Sequence, residues 1–173
     1  MMKTRKIALL GVLTAGAIII SIIESFIPSI GIPGVKLGLA NIVILIILYE
    51  IGVKEAIIVN LTRVVLAGTI RGILFSMGFL MSLAGATLSL GIMILLYLVV
   101  KNFSVIGVSV IGSIFHVTGQ ILVAMAFLGT VYVVYYLPFI ALSAIITGVL
   151  VGIVARMVIK NGAVRKTIEK ESL

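Results

Sequence analysis

Six apolar runs follow one another along this chain, separated only by short polar breaks. They cover about residues 7–27, 37–49, 56–70, 73–100, 104–128 and 139–159. A helix needs about 20 mostly apolar residues to cross a bilayer. Of 173 residues, 62% are hydrophobic and 10% charged, and the mean hydropathy is +1.43. A soluble domain is roughly half apolar and about a quarter charged. A chain this short also leaves about a third of its surface exposed after folding, so this much apolar area would meet water. The soluble globular class and the disordered class are therefore excluded. The expected fold class is an all-α membrane protein, a bundle of six transmembrane helices. It forms a single integral membrane domain over 1–173, with residues 160–173 as a polar tail.

The breaks are legible. Residues 28–35 (PSIGIPGV) hold two of the three prolines and two glycines, which predicts a loop. Residues 50–55, Arg71-Gly72 and Lys101-Asn102 end runs, and 131–138 (VYVVYYLP) carries three tyrosines. A basic start followed by an apolar run also describes a signal peptide. Here the run is longer than a signal core, and its small residues, Ala15-Gly16-Ala17, lie in its middle, so it reads as the first helix. The second and third runs are short for a full span, which suits helices that are tilted, broken or sheltered by protein.

Lysine and arginine near span ends set orientation. With six spans both ends share a side, which carries Lys3, Arg5, Lys6, Lys54, Lys101, Arg156, Lys160, Arg165, Lys166 and Lys170. The other side has Lys36 and Arg71. This predicts cytoplasmic termini and a multi-pass protein of the cell membrane. It also accounts for the net charge of +8 without a nucleic-acid partner. Tyr132, Tyr135 and Tyr136 then fall at the outer interface, where aromatic belts are expected.

Polar residues inside a bilayer are costly and usually mark function or internal pairing. Counting about 1.5 Å per helical residue places Glu24, Lys36, Asn41, Arg63, Arg71, His116 and Gln120 in the outer half of the bundle. Asn60 lies near mid-span beside Arg63, and Gln120 shares a face with His116 at i+4. Cations outnumber the one carboxylate, and buried excess charge is expensive unless neutralised. The expectation is a pocket for a small ligand bearing a carboxylate or phosphate. Plainer readings compete with it. Lys36 and Arg71 suit snorkelling at an interface. Glu24 suits a pair with an arginine, and His116 with Gln120 suits interhelical hydrogen bonding. Small-residue spacings, Gly11-x-x-x-Ala15, Ala17-x-x-x-Ser21, Gly68-x-x-x-Gly72 and Gly148-x-x-x-Gly152, favour close helix contacts.

Several chemistries lack their residues. The chain has no cysteine, no aspartate and one histidine, so no metal site or bound cofactor is expected. No phosphate-loop or nucleophile-elbow motif occurs. The chain reads as a binding subunit with no energy source of its own, and not as an enzyme.

The segments IPGVKLGLANIVILIILY (32–49), LTRVVLAG (61–68), FSMGFLMSLAGATLSLGIM (75–93) and IGVSVIGSIFHVTGQILVA (106–124) resemble the family labelled heptaprenyl diphosphate synthase component I, also called the Gx transporter family. The K-L-G-L-A-N and H-x-x-G-Q segments carry the likeness most specifically; Val117 stands where that family has asparagine. The label implies a synthase, yet prenyl diphosphate synthases bind their substrate through aspartate-rich motifs, and aspartate is absent here. The Gx group looks like the substrate-binding S-components of energy-coupling factor (ECF) transporters. That likeness implies six helices, a pocket capped by the loop over 29–36, and uptake of a vitamin-like or isoprenoid-related metabolite. It implies as partners a transmembrane coupling subunit and ATPase subunits. Docking would use Gly11 and Ala15, the nearest match to the Ala-x-x-x-Ala pattern of that group. The rival expectations are a membrane subunit of prenyl diphosphate or quinone synthesis, and an assembly factor of a membrane redox complex.

Overall fold

Apolar residues occupy every face of the run 42–48, and a helix that is apolar all round belongs inside a bundle. In the computed structural model that run lies in α2 (Asn41–Glu50), whose residues 43–48 are all buried. Around it stand α1 (Met2–Glu24), α3 (Val53–Ile70), α4 (Met77–Val99), α5 (Val105–Leu128) and α6 (Leu137–Asn161), and α2 touches all five. A short 3-10 helix, Val131–Tyr136, leads into α6. The structure describes residues 2–26, 36–100, 102–162, 164 and 167. The predicted loop over 28–35, the residues of the 29–36 cap before Lys36, Lys101, and Arg165, Lys166 and Lys170 of the tail lie outside the described residues.

Ten helical residues reach only about 15 Å, half of a hydrocarbon core about 30 Å thick. A short apolar helix is stable there because its neighbours shield both its sides and its ends. Four longer stretches, Thr4–Glu24, Met77–Val99, Val105–Leu128 and Val131–Asn161, are long and apolar enough to cross a membrane. Their outward faces carry large apolar side chains such as Ile19, Leu98, Leu122, Phe139 and Leu150. An apolar exterior of that extent suits lipid.

Boundaries differ from the sequence reading at several ends: α1 closes at Glu24 and not at 27, α3 opens at Val53 inside the expected turn over 50–55, and three further starts have an evident cause. The second helix begins at Asn41 and not at Leu37, because Gly38 takes φ +85, a conformation that ends helical progression. The fourth begins at Met77 and not at Ile73, because Gly72 and Phe75 take φ +65 and +62. Ser76 then caps it, its hydroxyl accepting from the Phe79 N–H at 3.3 Å. The first helix starts earlier, at Met2, and takes in the basic residues, since lysine and arginine are good helix formers.

Lipid tails are as apolar as leucine, so helix association inside a bilayer depends on close packing more than on exclusion of water. The tightest seams are α4–α5 and α5–α6. A Cβ added to Gly148 would lie 2.8 Å from the Cα of Val110, and one added to Gly152 would lie 2.8 Å from the Cα of Ile106. A Cβ added to Gly119 would meet the Ala84 carbonyl oxygen at 2.8 Å. These contacts are with backbone, which cannot swing aside. Near the starts of α1 and α3, Lys6 and Glu55 form an ion pair that ties the two helices together. The Gly148→Ala/Gly152→Ala double variant is expected to force α5 and α6 apart and to cost about 1–3 kcal/mol per site as overpacking. Thermal unfolding in mild detergent should show a clear drop in Tm, whereas Gly11→Ala, with open space beside it, should show none.

Candidate functional site

Residues Ala56, Val59, Asn60, Arg63, Val64, Ala67 and Gly68 form the buried stripe of α3. Their spacing follows the helical repeat, so Arg63 is carried inward by the same periodicity that buries its apolar neighbours. Arg63 is 3% exposed. Its Nη2 donates to Asn41 Oδ1 at 2.8 Å and to Asn60 Oδ1 at 2.9 Å. Its Nε donates to Asn60 Oδ1 at 3.1 Å, and Nη1 donates to Ser21 Oγ at 3.4 Å. The two amides are themselves oriented. Asn41 Nδ2 donates to Ser89 Oγ at 3.2 Å, and Asn60 Nδ2 donates to the Ala86 carbonyl at 3.1 Å. With both nitrogens committed to acceptors on α4, both oxygens face the guanidinium. Every acceptor in this cage is neutral, so the positive charge is solvated but not cancelled.

The chain between α1 and α2 is fixed at the same end of the bundle. Gln120 on α5 clamps the backbone of residue 36, its Oε1 accepting from Lys36 N at 2.8 Å and its Nε2 donating to Lys36 O at 3.1 Å. Glu24 Oε1, at the end of α1, accepts from the backbone N–H groups of Gly38 and Leu39. Among the described residues no ion pair joins Glu24 to Lys36, Arg63 or Arg71. Its carboxylate holds the turn before α2, which differs from the arginine pairing open to it in the sequence.

These groups surround a cavity with about 390 Å³ of empty space, part of it open to the outside. Most of that space is narrow, with room for one or two waters or one small polar group. Glu24, Lys36, Arg63, Arg71 and His116 line it, together with Ser21, Ser82 and an apolar wall that includes Val64, Ile73 and Phe79. Three cations and one carboxylate leave a net of two positive charges. His116 is 4% exposed, and among the described residues neither ring nitrogen has a hydrogen-bond partner. Its ring is confined by two glycines: an added Cβ would come within 3.3 Å of Cδ2 from Gly38 and within 3.2 Å of Cε1 from Gly85. Buried polar atoms are seldom left unpaired, so a buried imidazole without partners in the wall of a cavity is a candidate contact for a ligand or water.

Of the residues singled out in the sequence, five line the cavity. Asn41 and Gln120 lie just behind it, as orienting groups for Arg63 and for the backbone of residue 36. Gly11 and Ala15 are on the exposed face of α1, remote from the cavity and unpacked within the chain. Tyr132 and Tyr135 are exposed, with rings stacked at 6.3 Å. Sequence reasoning missed the part played by Ser21, which reads as a small packing residue, and left Asn60 out of the candidate set. The available signal was helical spacing: Ser21 lies three residues before Glu24, and Asn60 three before Arg63, each pair on one face.

Lys36 sits in the turn ahead of α2, and its pKa is lowered to about 8, first by burial and then by the neighbouring Arg71 charge, with Glu24 opposing. Raising the pH through that value removes its positive charge and with it part of the attraction for an anion. Affinity for sulfate, which does not itself titrate there, should therefore fall between pH 7 and pH 9, and Lys36→Met should bind more weakly with a flatter pH profile. Titration calorimetry at several pH values checks this.

Among families of known proteins, the one described as Heptaprenyl diphosphate synthase component I matches the chain over residues 13–158. No curated protein and no solved structure gives a significant match. The matched stretch takes in the second half of α1, all of α2 to α5 and nearly all of α6, and so every residue around the cavity. The chain belongs to the heptaprenyl diphosphate synthase component I family.

Proposed function

We infer that the protein is a six-span membrane subunit that binds a small anionic metabolite and hands it to an energised transport module, in the manner of an S-component. The observation that carries this reading is the cavity, where three cations, one carboxylate and the unpartnered His116 converge. An anion supplies what that arrangement lacks, namely negative charge for the cations and an acceptor for the imidazole N–H. The uneven distribution of lysine and arginine supports cytoplasmic termini in the cell membrane, which puts the cavity on the outer side. Binding there is a first step of uptake. The chain has no phosphate loop, so partners supply the energy: a coupling subunit and ATPases. The exposed small residues Gly11 and Ala15 on α1 support a docking face for the coupling subunit, because small side chains let helices approach closely.

One further reading has a specific observation behind it. The family description names a component of a prenyl diphosphate synthase, and a diphosphate is an anion that suits the cationic cavity. In that reading the chain is a non-catalytic membrane subunit that holds the diphosphate for a separate synthase, since it has no aspartate with which to bind magnesium diphosphate itself.

The two readings part on the company the protein keeps. Full-length protein gently extracted from its own membranes should co-purify with ATPase subunits, and Gly11→Leu/Ala15→Leu should lose them while still binding anions. Co-purification with a soluble prenyl synthase and no ATPase would overturn the transport reading.

A further inference from the structure

If the cavity binds an anion, as the proposed function requires, its single carboxylate says what else the ligand carries. Charges of both signs line the same space, yet they do not meet. Glu24, Lys36, Arg63 and Arg71 all border the cavity, and among the described residues no ion pair closes between the carboxylate and any of the cations. Opposite charges removed from water attract strongly and ordinarily pair. Here each is held back by neutral groups. The Arg63 guanidinium is turned to Ser21, Asn41 and Asn60. Gln120 clamps the backbone of Lys36 through both its N–H and its C=O. Glu24 is tied to the turn before α2 by the Gly38 and Leu39 N–H groups. Charges kept from collapsing onto one another are preorganised for a third party.

Both backbone N–H groups bond to one carboxylate oxygen, Oε1. Among the described residues the other oxygen, Oε2, accepts no hydrogen bond, although Glu24 is 4% exposed. A buried carboxylate with one oxygen unserved is costly. A ligand that is anionic throughout adds to that cost, because like charges brought together in a contact oppose binding. A ligand nitrogen that donates a hydrogen bond to Oε2 removes both penalties. His116 suits either half of such a ligand, since a neutral imidazole has one donor and one acceptor nitrogen. The two halves must also be close together. Ser21 accepts from Arg63 at 3.4 Å, and Glu24 lies three residues further along the same face of α1. That spacing puts the two α1 side chains about 5–6 Å apart at Cβ, so guanidinium and carboxylate flank one short stretch of the narrow space.

We propose that the ligand is a small zwitterion, with an anionic group held by Arg63, Lys36 and Arg71 and, within a few bonds of it, a protonated amine that donates to Glu24 Oε2. Glu24 is then a specificity-determining residue as well as the anchor of the turn, and it selects against anions that lack the amine.

The test uses full-length protein in lipid nanodiscs and two pairs of probes, propionate with β-alanine and ethanesulfonate with 2-aminoethanesulfonate, each pair differing by one amine. Calorimetry is read against the Arg63→Ala variant. A hydrogen bond between charged partners should make each amine raise affinity about tenfold or more in the wild-type protein. Glu24→Gln keeps an oxygen for the Gly38 and Leu39 N–H groups, so its Tm should stay near that of the wild type. In that variant the amine should give no gain, and the amine-free anions should bind at least as tightly as before. Equal affinity within both pairs on the wild-type protein, a comparison that needs no variant to fold, would overturn the proposal while leaving the anion site standing. So would an amine preference that survives undiminished in a folded Glu24→Gln variant. Failure of all four probes and of sulfate to bind better than to Arg63→Ala would overturn the anion reading together with this one.

Discussion

A guanidinium held by neutral oxygens in the middle of an apolar bundle is the constraint on which the rest of the site depends. Removing a charge of that size from water costs several kcal/mol even after relaxation. Hydrogen bonds to Asn41, Asn60 and Ser21 offset part of this and fix the side chain, but among the described residues no carboxylate touches it. Each of those partners depends in turn on something else: Asn41 on Ser89, Asn60 on the backbone of Ala86, and Ser21 on the inward face of α1. Four helices are therefore coupled through one side chain. An ordinary structural arginine would sit against a carboxylate. Glu24 is near enough to share the cavity, yet its oxygen is engaged by the turn that precedes α2.

The surrounding scaffold is suited to holding such a group. The ten-residue α2 is sealed by its neighbours, and its first residue, Asn41, is placed beside Arg63 because Gly38 turns the chain just before it. The same glycine lets the backbone pass over the His116 ring. Glycines and serines on α4, α5 and α6 bring those helices into backbone contact, and this provides a rigid wall behind His116 and Gln120. Rigidity on that side contrasts with the thinner α3–α4 seam. The cup thus has firm polar walls and one apolar wall closed by a single aromatic ring.

Much of this is legible in the sequence, for identifiable reasons. Six apolar runs correspond to six helices because their periodicity and length leave few alternatives. Lys36, Arg63, Arg71 and His116 stand out because charge and imidazole are rare in such runs. The starts of α2 and α4 are hidden because they depend on positive φ at Gly38, Gly72 and Phe75, and apolar residues on both sides of a turn conceal it. The tasks of Glu24 and Gln120 are not legible either. Both bind backbone N–H or C=O groups 14 to 84 residues away, and no sequence pattern records such a contact. Ser21 is masked by its size, since serine packs like a small residue and bonds like a polar one. The fold by itself sets neither the number of spans nor their direction across the membrane.

The central claim is that Arg63 carries an uncompensated charge that an anionic ligand completes. Native mass spectrometry of the full-length protein, released from its own membranes in mild detergent, tests it most directly. The account predicts that the wild-type protein carries an additional mass whose dissociation yields an anion, and that the Arg63→Met variant, otherwise intact, carries none. Bare protein in both samples, with Arg63→Met as stable as the wild type, would contradict it.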